Sequence, residues 1–245
     1  MNIFLSGITG NMGKTIIENC GNNKIVGGYA SNDGVIDGIP YTNKLDSIEL
    51  DFDIIIDFST KDCLQDILNF ALDKKKPIVI ATTGLSDEDI KRIRIASRDI
   101  PILYSQNMSV GINVLDELLK LVVPMLKNFD IEIIEKHHRN KKDAPSGTAK
   151  FLLETIKQKR NVREVYDRFN EFRSRGDCEI GISSVRGGSI VGEHSIVFAG
   201  TDEVLEINHI AQSKKIFAEG ALHAAKYLVK KPNGLYSMKE AINND

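Results

Sequence analysis

The sequence predicts an α/β protein of two domains: an N-terminal doubly wound parallel sheet, then an α+β domain with a mainly antiparallel or mixed sheet. Two observations carry this. Over the first hundred residues, short β-branched runs alternate with helical patterns, the signature of βαβ units. Beyond about residue 108, strand-like runs follow one another with only turns between them. The expected boundaries are 1–107 for the first domain, completed by a C-terminal helical segment at about 213–245, and 108–212 for the second.

In the first domain the expected strands are 3–6, 25–30, 53–58, 78–81 and 102–104, and the expected helices are 12–20, 62–75 and 87–97. Ser86 with Asp89 three residues later forms the start of a capping box. Pro77 and Pro101 each fall where a strand begins, which spares the sheet's hydrogen bonds. In the second domain the strands are 131–135, 179–185, 194–199 and 204–210, the last two split by a turn at Gly200-Thr201-Asp202, with one or two helices after Thr148. Residues 214–229 return to helical spacing, with Phe217, Ala218, Ala221, Leu222, Ala225 and Leu228 on one face.

Composition narrows the class. With 245 residues and 42% hydrophobic content, the chain can fill a core in each domain. Its 32 basic and 34 acidic residues leave a net charge of -2, so no overall field recruits nucleic acid or an anionic membrane. Cys20, Cys63 and Cys178 lie far apart without metal-ligand spacing, which fits reduced thiols and no bound metal. An apolar strand follows Met1-Asn2 directly, and no apolar run approaches the roughly 20 residues of a membrane span. A cytoplasmic protein is expected.

Strand 3–6 runs into Gly7-Ile8-Thr9-Gly10-Asn11-Met12-Gly13 and then a helix. Phosphate binding needs this arrangement, because bare backbone can approach a pyrophosphate and a helix N-terminus offers N–H groups and a positive dipole end. The spacing is GxxGxxG rather than GxGxxG, but its place in the first βα turn makes the domain a Rossmann-like dinucleotide-binding one. An acidic residue is expected about 20 positions on, where Ser31-Asn32-Asp33 stand. Asp33 can meet ribose hydroxyls or serve as a turn residue, and Ser31 and Asn32 suit either form, so NADH and NADPH both fit. Ala81-Thr82-Thr83-Gly84 and Ser105-Gln106-Asn107-Met108 sit at C-terminal ends of later strands, where open α/β sheets place ligands. Asp57-Phe58-Ser59-Thr60 is similar, or a helix cap.

The most informative stretch runs from Glu135 to Ala149, EKHHRNKKDAPSGTA. It packs two imidazoles and several cations into a few residues and then opens a helix with Pro-Ser-Gly-Thr. A substrate with two carboxylates needs such a set: fixed cations, a titratable proton donor, and N–H groups at a helix N-terminus. A solvated basic loop is the plain alternative. His194 and His209 in strands, His223 in the last helix, and the Arg186-Gly187-Gly188 turn read as structural.

This segment resembles the signature E-x-H-H-x-x-K-x-D-A-P-S-G-T-A of the 4-hydroxy-tetrahydrodipicolinate reductase family at every fixed position. The Gly7–Gly13 turn, Ala81–Gly84, Asn107–Gly111, and Ser184-Val185-Arg186-Gly-Gly followed by Val191-Gly192-Glu193-His194 resemble further family blocks in the same order. The resemblance implies His137 as proton donor or acceptor and Lys141 as proton donor, with His138, Gly147 and Thr148 contacting a substrate carboxylate. It implies cofactor contacts at Gly7, Ile8, Thr9, Gly10, Asn11, Met12, Ala81, Thr82, Thr83, Ser105, Gln106, Asn107 and Met108. It also implies NADH- or NADPH-dependent hydride transfer to C4 of a cyclic imine dicarboxylate in lysine and diaminopimelate biosynthesis, a homotetramer joined through the second sheet, and hinges at 107–111 and near Gln212. Segments 32–51 and 157–165 are short beside longer relatives, and Ser213-Lys214 stands where relatives show Ser-Arg. Rival readings are another amino- or imino-acid dehydrogenase, which has no reason to carry the whole signature, and a catalytically silent dinucleotide-binding regulator, which has no need of His137 and Lys141.

Overall fold

The computed structural model describes residues 1–169 and 172–243. The chain divides into two compact units, residues 1–110 with 214–245 and residues 111–213. The last two positions of the expected C-terminal segment lie outside the described residues.

The first unit is built on an eight-stranded sheet. Its elements in chain order are β1 (Asn2–Ser6), α1 (Asn11–Asn19), β2 (Lys24–Tyr29), β3 (Gly34–Ile36), β4 (Ile39–Thr42), β5 (Ile54–Asp57), α2 (Leu64–Lys74), β6 (Ile78–Ile80), α3 (Asp87–Ala96) and β7 (Pro101–Tyr104). The sheet order is β13-β7-β6-β5-β1-β2-β4-β3, where β13 (Gly234–Tyr236) follows α6 (Lys215–Leu228) and precedes α7 (Met238–Asn243). All pairings are parallel except the β3–β4 hairpin. Strands β5 and β6 are buried along their whole length, as helices on both faces of a parallel sheet require. Period-two alternation divides the core: Ile3, Leu5, Ile54 and Ile56 pack toward the alanine-rich α6, while Phe4, Ile55, Ile78 and Ile80 pack with α2 and α3. The order reverses direction between β1 and β5, so the crevice at their C-terminal ends is the switch point where such sheets bind ligands. The Ser86–Asp89 capping box is present, with both reciprocal bonds.

The second unit holds most of α4 (Val110–Met125), then β8 (Asp130–His137), α5 (Gly147–Lys159), β9 (Arg163–Val165), β10 (Glu179–Arg186), β11 (Gly192–Ala199) and β12 (Val204–Ala211). Its sheet, ordered β12-β11-β8-β10-β9, is mixed: β12–β11 and β11–β8 are antiparallel, β8–β10 and β10–β9 parallel. Helix α4 has no counterpart in the sequence reading. Its stretch carries apolar residues on its exposed face as well as its buried one, and contains Pro124, which falls in the last turn and stops the helix a residue later. Ile131 and Ile133 of β8 face a core made with α4, α5, Ile180, Ile182, Ile196 and Phe198. Among the described residues, no helix is long and apolar enough to cross a membrane.

Candidate active site

Alternation along β8 buries Ile131, Ile133, Glu135 and His137 on one face, so the apolar core passes into polar groups at the strand's C-terminal end. Register extends that polar end sideways. Arg186 of β10 pairs with His137, Ser184 with Glu135, and His194 of β11 with Glu135 from the other side. Glu135 is fully buried and takes both forks of Arg186, Nη1 to Oε2 at 2.8 Å and Nη2 to Oε1 at 2.6 Å. The Ser146 N–H reaches Oε1 at 3.1 Å, and His137 Nδ1 lies 2.5 Å from Oε2.

Burial alone would raise the Glu135 carboxyl, but hydrogen bonds from Arg186, Ser184 and His137 outweigh it and hold the group at about 2. Burial lowers the His137 pKa; Glu135 opposes this, while Lys141 and Arg186 add to it, so the imidazole is neutral at pH 7. His194 is pushed down to about 4, chiefly by burial and then by His137, whose ring stands 5.2 Å away edge-on. An ionised carboxylate only accepts, so His137 Nδ1 carries the hydrogen and Nε2 is bare in the neutral ring.

Lys141 lies beyond the strand, its N–H donating to the His138 carbonyl and its ammonium 2.8 Å from Asp143. Ser146 caps α5, its hydroxyl accepting from Ala149 N–H at 3.1 Å and lying 3.0 Å from His194 Nε2. Gly147 is exposed in the first turn of α5, beside Thr148, with open space where a side chain would stand. His137, His138, Lys141, Gly147 and Thr148 therefore belong to one strand end, one loop and one helix start. Glu135, Arg186 and His194 join them, although the sequence reading gave Glu135 no role and the other two structural ones. The signal available was a carboxylate at an inward position of an alternating strand, two residues from an imidazole.

In the first unit, Gly7 sits at φ +77, and a Cβ there would stand 2.6 Å from the Phe58 carbonyl oxygen at the tip of β5. A Cβ on Gly13 would collide with the Gly7 and Ile8 carbonyls. The turn is thus closed to side chains, as a backbone cradle for phosphate must be. Gly10 caps α1 without a side-chain bond, leaving the N–H groups that open the helix to a ligand. This fits a dinucleotide. Ala81, Thr82 and Thr83 follow β6, and Ser105, Gln106, Asn107 and Met108 follow β7, along the same sheet edge as Gly7–Met12. Thr82 is buried and donates to Asp57 at 2.6 Å, so its hydroxyl braces the loop. The Ser105 hydroxyl similarly closes on the Asn107 carbonyl at 2.7 Å, and Met108 is in the core. Asp33 accepts from Thr42 Oγ1 at 2.7 Å and Asn43 N–H at 3.0 Å, which favours its reading as a turn residue. The three cysteines are free.

A glycine cradle at the switch point of a parallel sheet, with a second domain offering an imidazole, an ammonium and an open helix N-terminus, defines a nicotinamide-dependent oxidoreductase. Two domain families match the chain: "Dihydrodipicolinate reductase, N-terminus" over residues 1–108 and "Dihydrodipicolinate reductase, C-terminus" over residues 111–242. The chain belongs to the dihydrodipicolinate reductase family. It is 44% identical over 247 residues to the 4-hydroxy-tetrahydrodipicolinate reductase of Caldanaerobacter subterraneus, covering 98% of this chain and 97% of the relative. It is also 44% identical over 246 residues to that of Rickettsia rickettsii, covering 98% of each. Among solved structures, a dipicolinate-bound dihydrodipicolinate reductase from Paenisporosarcina superposes with a TM-score of 0.81 at 22% identity, covering 97% of each chain. An aspartate dehydrogenase from Thermotoga maritima shares the fold at a TM-score of 0.55 and 13% identity, over 95% of this chain and 98% of that one.

Proposed function

We propose that this chain reduces 4-hydroxy-tetrahydrodipicolinate to tetrahydrodipicolinate in lysine and diaminopimelate biosynthesis. The observation that carries the proposal is the placement of a neutral, Glu135-anchored His137 beside Lys141 and the start of α5, in a chain of this family. A bound reduced nicotinamide would supply a hydride for C4 of the ring; one proton would be taken up, and water would leave when the substrate is the 4-hydroxy form. Lys141, held by Asp143, attracts the dianion and donates a proton. His137 accepts or returns a proton at Nε2. His138 and the first-turn amides of Gly147 and Thr148 receive a carboxylate at the positive end of α5. In the first unit, the backbone of Gly7, Ile8, Thr9, Gly10, Asn11 and Met12 holds the pyrophosphate, with Ala81–Thr83 and Ser105–Met108 lining the edge beyond it.

Both NADH and NADPH are proposed as cofactors. With Asp33 engaged by Thr42 and Asn43, the exposed Ser31 and Asn32 can hydrogen-bond a ribose hydroxyl or a 2′-phosphate. A cytoplasmic homotetramer is proposed as well: β12 is an edge strand whose outer backbone groups are left to be covered, and it exposes Val204 and Ile210 on one face and Leu205 on the other. The decisive assay generates the unstable substrate with the synthase that makes it and follows the absorbance of NADH and NADPH separately. Oxidation that depends on the synthase product supports the proposal; binding of either cofactor without oxidation overturns it.

A further inference from the structure

We propose that Glu135 is a positioning residue for both halves of the substrate site: it sets the tautomer of His137 and anchors the first turn of α5, keeping the proton-transferring nitrogen and the carboxylate-binding amides in register. This rests on the reading above, in which His137 exchanges a proton and α5 receives a carboxylate.

Besides the Ser184 hydroxyl, four donors converge on one fully buried carboxylate. His137 Nδ1 at 2.5 Å and Arg186 Nη1 at 2.8 Å reach Oε2; Arg186 Nη2 at 2.6 Å and Ser146 N–H at 3.1 Å reach Oε1. Only an ionised carboxylate accepts all four, because a carboxamide has a single acceptor oxygen and turns two N–H groups toward donors. Arg186 also donates to the Asp143 carbonyl at 2.6 Å, so the same guanidinium ties down the loop that presents Lys141. With its N–H on Glu135 and its hydroxyl between Ala149 N–H and His194 Nε2, Ser146 fixes the direction in which α5 opens.

Charged and titratable groups meet His137 from every side: Glu135 on β8, Arg186 on β10, His194 on β11, and Lys141 on the following loop. Of these, Glu135 alone favours the protonated ring; Arg186 and Lys141 oppose it. Loss of the carboxylate should therefore lower the proton affinity of His137 further and free its tautomer.

The test uses the full-length protein with 15N-labelled histidine. In the wild type, the neutral His137 ring should carry its hydrogen on Nδ1; a ring protonated on Nε2 overturns the proposal without any variant. In Glu135→Gln, the His137 titration should move down by on the order of one pH unit. Turnover should fall roughly 10²-fold, with a severalfold higher KM for the dicarboxylate and an unchanged cofactor Kd. Glu135→Asp, which keeps a carboxylate, should restore part of the turnover and the original tautomer. A folded Glu135→Gln protein with unaltered His137 tautomer and titration overturns the positioning role. If the wild type fails to turn over the synthase product while the glutamine variant still shifts His137, the activity reading fails and the positioning role stands.

Discussion

The two halves of the chain carry candidate sites made of different material. At the end of β1 the cradle is backbone, and its geometry depends on side chains being absent from Gly7 and Gly13. At the end of β8 the site is built mainly of side chains, with backbone amides entering only at the start of α5: a buried carboxylate bound to a guanidinium, an imidazole and a helix amide, with an ammonium on the next loop. A cofactor shared among many enzymes can be held by generic N–H groups. A particular dianion that must gain a hydride and a proton needs charges at fixed places and a group that titrates near neutrality. The contrast can be broken by showing that the first half depends on side-chain charge, or that the second tolerates its loss.

The largest effect should come from the second half. His137→Gln and Lys141→Ala should each lower kcat by roughly 10²- to 10⁴-fold, while the cofactor Kd, read by fluorescence quenching or calorimetry, stays within about twofold because neither residue belongs to the nucleotide-binding unit. Normal turnover in either variant removes that residue from the chemistry; a large loss of cofactor affinity breaks the division between the halves.

Much of this division was legible beforehand, and the reasons differ by region. The glycine turn could be read because its constraint is local: strand, turn and helix are adjacent in the chain, and closeness to backbone leaves glycine as the residue that fits. The stretch from His137 to Thr148 was legible for the same reason, since it spans one strand end, one loop and one helix start. Arg186 and His194 were read as structural because their side-chain partners, Glu135 and Ser146, lie 51 and 48 positions away in the chain, and the β8–β10 and β8–β11 registers are what bring them to the end of β8. The β3–β4 hairpin escaped notice although Asp37-Gly38, both at positive φ, is a strong short hairpin signal. Helix α4 escaped because, although Ile112, Leu115, Leu119 and Val123 recur at helical spacing, the exposed Val110, Val114, Leu118 and Leu121 between them blur the contrast between its faces.

The next effect concerns pH and should separate the halves by stability. His194 is held at about 4 in the folded chain against an ordinary value near 6.5, so the unfolded chain binds the proton more readily. The stabilisation from keeping this ring neutral is complete above about pH 6.5, declines as pH falls toward 4, and amounts to on the order of 3 kcal/mol. Hydrogen exchange at pH 7.5 and pH 5 should show protection in β8, β10 and β11 weakening at the lower pH, while β1, β5 and β6 change little. His194→Asn should flatten the dependence; an unchanged slope in that variant would place the titrating group elsewhere.

The smallest effect belongs to the cradle and tests the contrast from the other side. Gly7→Ala adds one methyl and no charge, yet that methyl would stand 2.6 Å from a backbone oxygen of β5 at φ +77. The tip of β1 must then move away from β5, opening the switch point where the pyrophosphate is proposed to lie. The expected result is about a tenfold rise in cofactor Kd and about 1–3 kcal/mol of lost stability, with kcat at saturating cofactor nearly unchanged. Gly21→Ala separates the causes: Gly21 is also left-handed, at φ +57, but nothing lies within 4 Å of its Cβ position. That variant should lose about 1 kcal/mol of stability from backbone strain alone and bind cofactor as the wild type does. If the two alanine variants weaken cofactor equally, strain rather than the closed cradle governs binding; if neither does, the nucleotide is held by side chains and the two halves are built alike.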